Sequence, residues 1–344
     1  MRRILLFTVL VYLTTALFAG DKKQLPQHTF AVDKLCGYTS VLNQAKTSTC
    51  WAHATASLLE SDRLFAGGDT VRLSVMYIAR QKYLEHFNYH YYTRGRDRVR
   101  GGSLGHTSLR MIARHGILPT ESYTGLTEGV TEHNHRELIK QLATWADLAV
   151  KERNLPLYRE KAEALLDSLL GEVPQTFRYK GKSYTPQSFA AYLQLEPDSY
   201  VELTSFSHHP YYTSFILEVP DNWEHASFYN LPLDELERTV REALAKGQTV
   251  LWDGDMSEET FCPKQGMAIW EECPVTQESR QRGFEQFTTT DDHLMHIVGT
   301  AHDETGKFYY IIKDSFGDVG PYHGLIYMSE DYFRAKTVSV MLKK

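Results

Sequence analysis

Across residues 48–66, Trp51, Ala54, Thr55, Leu58 and Leu59 fall on one face at helical spacing, which predicts a helix, with Ser48 or Thr49 placed to cap its first turn. A second helix is expected over 103–115, ending before Gly116. Leu138, Leu142 and Trp145, then Leu165, Leu166 and Leu169, predict a helical hairpin over 133–170 closed by Gly171. Leu236, Val240, Ala243 and Leu244 predict another helix over 233–246, again followed by a glycine. The pattern then changes. Thr249–Asp253, Leu294–Ala301, Phe308–Lys313 and Leu325–Ser329 read as strands, with residues 302–307 forming the turn between the second and third. Helices come mainly early and strands mainly late, without a regular βαβ alternation. That order is the signature of an α+β protein in two lobes.

The first twenty residues lie outside this pattern. Arg2 and Arg3 precede an apolar run from Ile4 to Phe18, and small residues close it at Ala16 to Gly20. That order reads as a secretory signal peptide, with an uncleaved N-terminal anchor as the alternative, and the run is short for a membrane span. Export to the periplasm or the extracellular space is therefore expected, with no stable membrane span. The formal net charge of −6 gives no electrostatic footprint for nucleic acid.

Four cysteines are too few for a disulfide scaffold in a chain of this length. Cys262 and Cys273 are close enough in sequence for one bridge, and two unbridged thiols are the equal alternative. Cys50 differs in position. It lies in the first turn of a predicted amphipathic helix, where unsatisfied backbone amides and the helix dipole favour a thiolate. Gln44, six residues earlier, is placed to donate its side-chain amide to a developing oxyanion beside the Cys50 backbone N–H. Taken alone, Cys50 reads more readily as a small buried hydrophobe on a core helix than as a nucleophile.

A thiolate nucleophile needs an imidazole partner held by a third group. Fifteen histidines are available, so the choice rests on placement. If His302 and Lys307 close the hairpin, Met295 lies opposite Asp314 and His293 opposite Phe316. Side chains alternate along a strand, so Asp314 and Phe316 share the face of His293 while His296 points the other way. A one-residue slip would reverse the choice between the two histidines. On this register His293 is the base, Asp314 its orienter, and Phe316 a shield over their hydrogen bond.

Together these residues resemble the papain-like cysteine peptidases, in the branch of bleomycin hydrolase and bacterial aminopeptidase C. The family's Gln six residues before a Cys–Trp pair corresponds to Gln44, Cys50 and Trp51. Its His–Ala–Met strand start resembles His293–Leu294–Met295, with Gly299 at the expected offset, and its Asn–Ser–Trp–Gly segment resembles Asp314–Ser315–Phe316–Gly317. Gly101 and Gly102 correspond to the glycine pair lining the substrate cleft. The resemblance implies a papain-like two-lobe fold, a helical lobe plus a β-barrel-like lobe, with a helical insertion. The chain then divides into a signal peptide at 1–20, a helical lobe at 21–125, a helical insertion at 126–200 and a mainly β lobe at 201–344.

The resemblance also implies peptide-bond hydrolysis through a Cys50 thioester, with no cofactor and no metal. The partner is a peptide or protein substrate, and the branch implies a homo-oligomer, a hexamer. Trp51 and Phe316 join the glycine pair as substrate-binding positions. Three departures stand out: Asp314 replaces Asn, Phe316 replaces Trp, and the C-terminal arm that restricts relatives to N-terminal cleavage reads as truncated. Aminopeptidase and oligopeptidase action are both expected readings. A catalytically silent peptide-binding protein on the same fold, and an amide-processing acyltransferase, are the alternatives. Two histidine pairs, His208–His209 and His86/His90, lack a third ligand at a recognised spacing and read as packing or surface groups. The run Arg94, Arg96, Arg98 and Arg100 reads as a solvated loop near the cleft.

Overall fold

The computed structural model describes residues 24–344; the signal-peptide reading at 1–20 falls outside them. A strand β1 (Phe30–Leu35) comes first, followed by helices α1 (Cys50–Phe65), α2 (Val75–Tyr92), α3 (Gly105–His115), α4 (Arg136–Glu152) and α5 (Leu155–Leu170). A small hairpin of β2 (Phe177–Tyr179) and β3 (Lys182–Tyr184) precedes α6 (Pro186–Tyr192). Strands β4 (Tyr200–Thr204), β5 (Ser214–Ile216) and β6 (Ser227–Asn230) lead to α7 (Leu233–Ala245) and β7 (Val250–Gly254). After β8 (Phe261–Cys262), β9 (Met267–Ala268) and α8 (Gln277–Glu285) come β10 (His293–Asp303), β11 (Phe308–Lys313) and β12 (Leu325–Ser329). Helix α9 (Glu330–Lys336) and β13 (Thr337–Lys343) complete the order.

The class is α+β as read from the pattern, but the strands do not close into a barrel. They form one open mixed sheet in the order β5-β6-β4-β13-β7-β10-β11-β12-β9-β8, with β1 added on β10. Alternation along the central strands deals residues to two cores. Leu251, Leu294, Val338 and Met341 face the helices, joining Trp51, Tyr83, Leu142 and Leu166. Trp252, Met295, Ile297 and Val340 face the other way, against Leu236 and Val240 of α7 and Tyr332 of α9. The sheet is therefore buried on both sides, and α1 packs directly on β10.

Strand β10 is the hub. One edge pairs with β11, and the other is shared, with β7 along its first half and β1 along its second. Gly299 makes the β1 contact feasible, because a methyl group there would collide with the Lys34 carbonyl.

Helix α2 has no counterpart in the apolar pattern. Its surroundings explain why: it packs against α1, α3, α4 and α5 and buries polar residues Arg80, Lys82, His86 and His90 among its apolar ones. A helix covered on so many sides shows no clean stripe. The His86 and His90 rings face Asp97, at 3.1 Å from His86 Nε2 and 2.7 Å from His90 Nδ1 to the backbone carbonyl. They anchor the arginine-bearing loop in place. The Lys82 ammonium then donates to the Arg100 and Gly102 carbonyls at 2.6 and 2.8 Å.

Candidate active site

Helix α1 starts at Cys50 itself. Thr49 is its N-cap, but no side chain caps the helix, contrary to the expected role of Ser48 or Thr49. The Thr49 hydroxyl instead meets Thr47 Oγ1 at 2.5 Å and His53 Nδ1 at 3.3 Å. The Ala52 and His53 amides donate to the Thr49 carbonyl at 3.0 Å each, and the absence of a side-chain cap leaves the positive end of the helix facing the sulfur. Trp51 is fully buried and fixes the turn, donating from Nε1 to the Ser48 and Gly101 carbonyls at 3.0 and 3.1 Å. The glycine loop and the start of α1 are thus tied through one indole.

The hairpin carrying His293 differs in detail from the register that the turn predicts. His302 pairs with Phe308, not Lys307. A bulge between Ile297 and Gly299 then shifts the ladder by one, so that His296 pairs with Lys313. The bulge restores, at the functional end, the alignment that the assumed turn gave. His293 and Asp314 share a face, and His293 Nε2 lies 2.8 Å from Asp314 Oδ1. His293 is also hydrogen-bonded to Cys50. Nε2 is committed to Asp314, which leaves Nδ1 for the sulfur. Phe316 stacks on the imidazole with centroids 5.2 Å apart and planes 6° from parallel.

His296 faces the helical lobe, where its Nδ1 meets Ser57 Oγ at 2.8 Å. Burial, reinforced by the nearby Lys313 ammonium, pushes its pKa well down and keeps the ring neutral. His53, one turn along α1, is likewise held down to about 4 by burial. His293 behaves oppositely. Burial opposes its protonation, but the charge of Cys50 and hydrogen bonds to Asp314 and Cys50 outweigh it and hold the imidazolium up to about 10.

Gln44 sits across the site. Its backbone N–H donates to the Ser315 carbonyl at 2.7 Å, and its side-chain Oε1 accepts from Ser315 Oγ at 2.7 Å. With Oε1 so engaged, the amide N–H₂ is directed away, toward the Thr47 carbonyl at 3.3 Å. The Ser315 N–H in turn donates to Asp314 Oδ1 at 2.7 Å. One dipeptide, Asp314–Ser315, therefore orients both the His293 ring and the Gln44 side chain.

Two consequences are measurable. Gln44→Ala is expected to lower kcat about 10²- to 10³-fold with KM little changed, the usual cost of removing one oxyanion donor. A wild-type kcat in a folded Gln44→Ala variant would remove Gln44 from the reaction. Asp314→Asn removes a charge that favours the imidazolium, so the alkaline limb of the pH–rate profile should move down by about one unit or more. The sign follows because the reactive pair needs His293 protonated, and that form is lost as pH rises past its pKa. An alkaline limb unmoved by the substitution would detach it from His293.

Cys262 and Cys273 are not bridged; Cys262 is buried and Cys273 exposed. His208 and His209, by contrast, do gain a neighbour that spacing hides. Their Nε2 atoms lie 3.3 and 2.6 Å from the two oxygens of Glu218. Gln281 Nε2 donates to His208 Nδ1 at 2.9 Å, which leaves the proton of that ring on Nε2 as a donor to Glu218. Sequence pattern alone also passes over Ser315, Lys82, Asp221, Asp253 and Asp291. For Asp253 a signal existed: an acidic residue inside an otherwise apolar strand.

An uncapped helix start bearing a cysteine, facing a strand-borne histidine with its own carboxylate, on this open-sheet α+β frame, defines a papain-like fold. The Peptidase C1-like family matches residues 106–344, and the chain belongs to that family. Aminopeptidase G of Lactobacillus delbrueckii subsp. lactis is 24% identical over 71% of this chain, and the match spans only 63% of that relative's length. Aminopeptidase W of the same organism is 26% identical over 89% of this chain and 81% of its own. The crystal structure of PepW from Lactobacillus rhamnosis HN001 shares the fold, with a TM-score of 0.73 at 18% identity, covering 91% of this chain and 82% of that one.

Proposed function

We propose that this chain is an exported cysteine peptidase that hydrolyses peptide bonds through a Cys50 acyl-enzyme, acting from the N-terminus of its substrate. The observation that carries the reading is the convergence of Cys50, His293, Asp314 and Gln44, drawn from opposite ends of the sequence. Kinship with aminopeptidases G and W supports the N-terminal preference. The basic, apolar and small-residue order of residues 1–20 supports export.

In this reading the Cys50 thiolate attacks the carbonyl carbon, and the oxyanion is met by the Cys50 N–H and the Gln44 amide. His293 gives its proton to the leaving amine as the C–N bond breaks, leaving a thioester. The neutral imidazole then takes a proton from water, whose oxygen attacks the thioester and releases the acid and the thiolate. Asp314 keeps the ring aligned through both halves.

The test is labelling with an epoxysuccinyl inhibitor under reducing conditions, followed by peptide mapping. One label per chain, on Cys50, is expected. Cys273 is a poor competitor, since burial and its Asp331 partner push its thiol up to about 11, and burial raises the Cys36 thiol as well. Absence of label on Cys50, or label spread over the other thiols, would overturn the reading.

A further inference from the structure

The arginine run that follows α2 has no part in the chemistry above. Arg94, Arg96 and Arg98 are exposed. Among the described residues only Arg100 of the four is in an ion pair, 3.0 Å from Asp97 and 4.0 Å from Asp221. Arg94 and Arg96 line a groove of about 920 Å³ between this loop and residues 216–225, and Tyr89, Tyr92 and Trp223 supply its aromatic surface. Strand β5 ends in the groove at Ile216. Among the described residues β5 is the outermost strand of the sheet, paired with β6 alone.

Both sides of the groove are held. His86 and His90 tie Asp97 to α2, and Arg100 Nη1 joins the two sides by donating to the Pro220 carbonyl at 2.9 Å. Trp223 is buried, stacked on His86 with centroids 4.3 Å apart, and donates to Ser103 Oγ at 2.9 Å. A surface fixed in advance loses little freedom when it binds. Its contents specify the occupant. Guanidiniums without a protein partner recognise carboxylates through paired N–H donors. An unpaired strand edge takes an extended chain as a further strand. Tyr92 and Ile216 are 72% and 49% exposed, apolar area that such a chain would cover. A nucleic acid fits less well, because Asp97 and Glu218 line the same groove and would repel a continuous run of phosphates.

We propose that this groove is a docking surface for an extended, carboxylate-rich segment of a peptide or protein substrate. The segment lies along the β5 edge with its acidic side chains toward Arg94 and Arg96. The arginine loop runs directly into Gly101 and Gly102, and the Trp51 indole ties Gly101 to the start of α1. A chain held in the groove is thus one short loop away from Cys50. That the docked segment belongs to a substrate rests on the peptidase reading; docking itself is measured without turnover, so the two can fail separately.

The test is fluorescence polarisation on the full chain carrying Cys50→Ala, which keeps the probe uncut. The probes are a fluorescein-labelled decapeptide with three glutamates among serine and valine, and its counterpart with three glutamines. The glutamate peptide should bind at least about tenfold more tightly at low salt, with the margin shrinking as salt screens exposed charges. Adding Arg94→Ala and Arg96→Ala, both at exposed positions where the fold should be unchanged, should weaken the glutamate peptide about tenfold and the glutamine peptide by no more than about twofold. N-methylating alternate amides of the glutamate peptide removes strand N–H donors and should weaken it about tenfold as well. Equal affinity of the two peptides, indifference to the arginine substitutions, or full binding of the N-methylated probe would overturn the proposal. So would tighter binding of a ten-nucleotide deoxythymidine strand at equal salt. A lower sedimentation mass in the arginine variant would also overturn it, marking this face as a contact between copies of the chain. The peptidase reading is judged apart, by epoxysuccinyl labelling of Cys50 in the wild type.

Discussion

Cys50→Ala is expected to lower kcat/KM on any peptide substrate by a factor on the order of 10⁶, comparable to deleting the nucleophile of other acyl-transfer enzymes. The substitution removes one sulfur atom from a small side chain at the start of α1, so the fold should survive with near-unchanged melting behaviour. Nothing nearby can substitute. Cys36 lies instead against the Leu244 and Gln248 carbonyls, and Cys273 sits beside Asp331. Residual rates should be those of water attacking a bound, polarised carbonyl. Steady-state kinetics on purified variant, with intact-mass analysis after inhibitor treatment, reads both effects. Hydrolysis at near wild-type rate in Cys50→Ala would exclude Cys50 as the nucleophile.

The second large effect separates two histidines three residues apart. His293→Ala should cost about 10⁴-fold in kcat, at the upper end of general acid–base contributions, because the same ring holds the thiolate's counter-charge and later supplies the leaving-group proton. His296→Ala should leave kcat within about tenfold. Its loss falls on stability, about 1–3 kcal/mol, since the Ser57 hydroxyl and Lys313 ammonium share a buried network with that ring. Chemical denaturation and single-turnover kinetics on both variants make the comparison. Reversed effects would mean that the strand face has been misassigned.

Why the face could be read from sequence, and other features could not, comes down to range. Strand alternation is a local rule, and it placed His293 with Asp314 even though the assumed turn was off by one. The bulge at Ile297–Gly299 made good the difference, and no local signal announces a bulge of that kind. Helix α1 was legible because it has one apolar stripe and a polar approach. Helix α2 was not, because its neighbours cover it on several sides and its buried cations satisfy distant carbonyls such as those of Arg100 and Gly102. β1 and β13 are short runs whose partners lie far along the chain in β10, β7 and β4. The barrel-like lobe is an open sheet, since β5 and β8 remain at its opposite ends, and whether outermost strands meet is a long-range matter that no local pattern records.

The Gln44–Ser315–Asp314 connection has a further consequence for the life of the chain during synthesis. Cys50 emerges from the ribosome long before β10 and the segment after β11, and it has no imidazole partner until the sheet is built. Gln44 and His293 are both held by the same dipeptide, so neither is held in place before that dipeptide is. In the proposed peptidase reading, a growing chain would therefore carry an unactivated thiol, and activity would arrive only once the sheet is built; the topology would act as a safety catch during biogenesis.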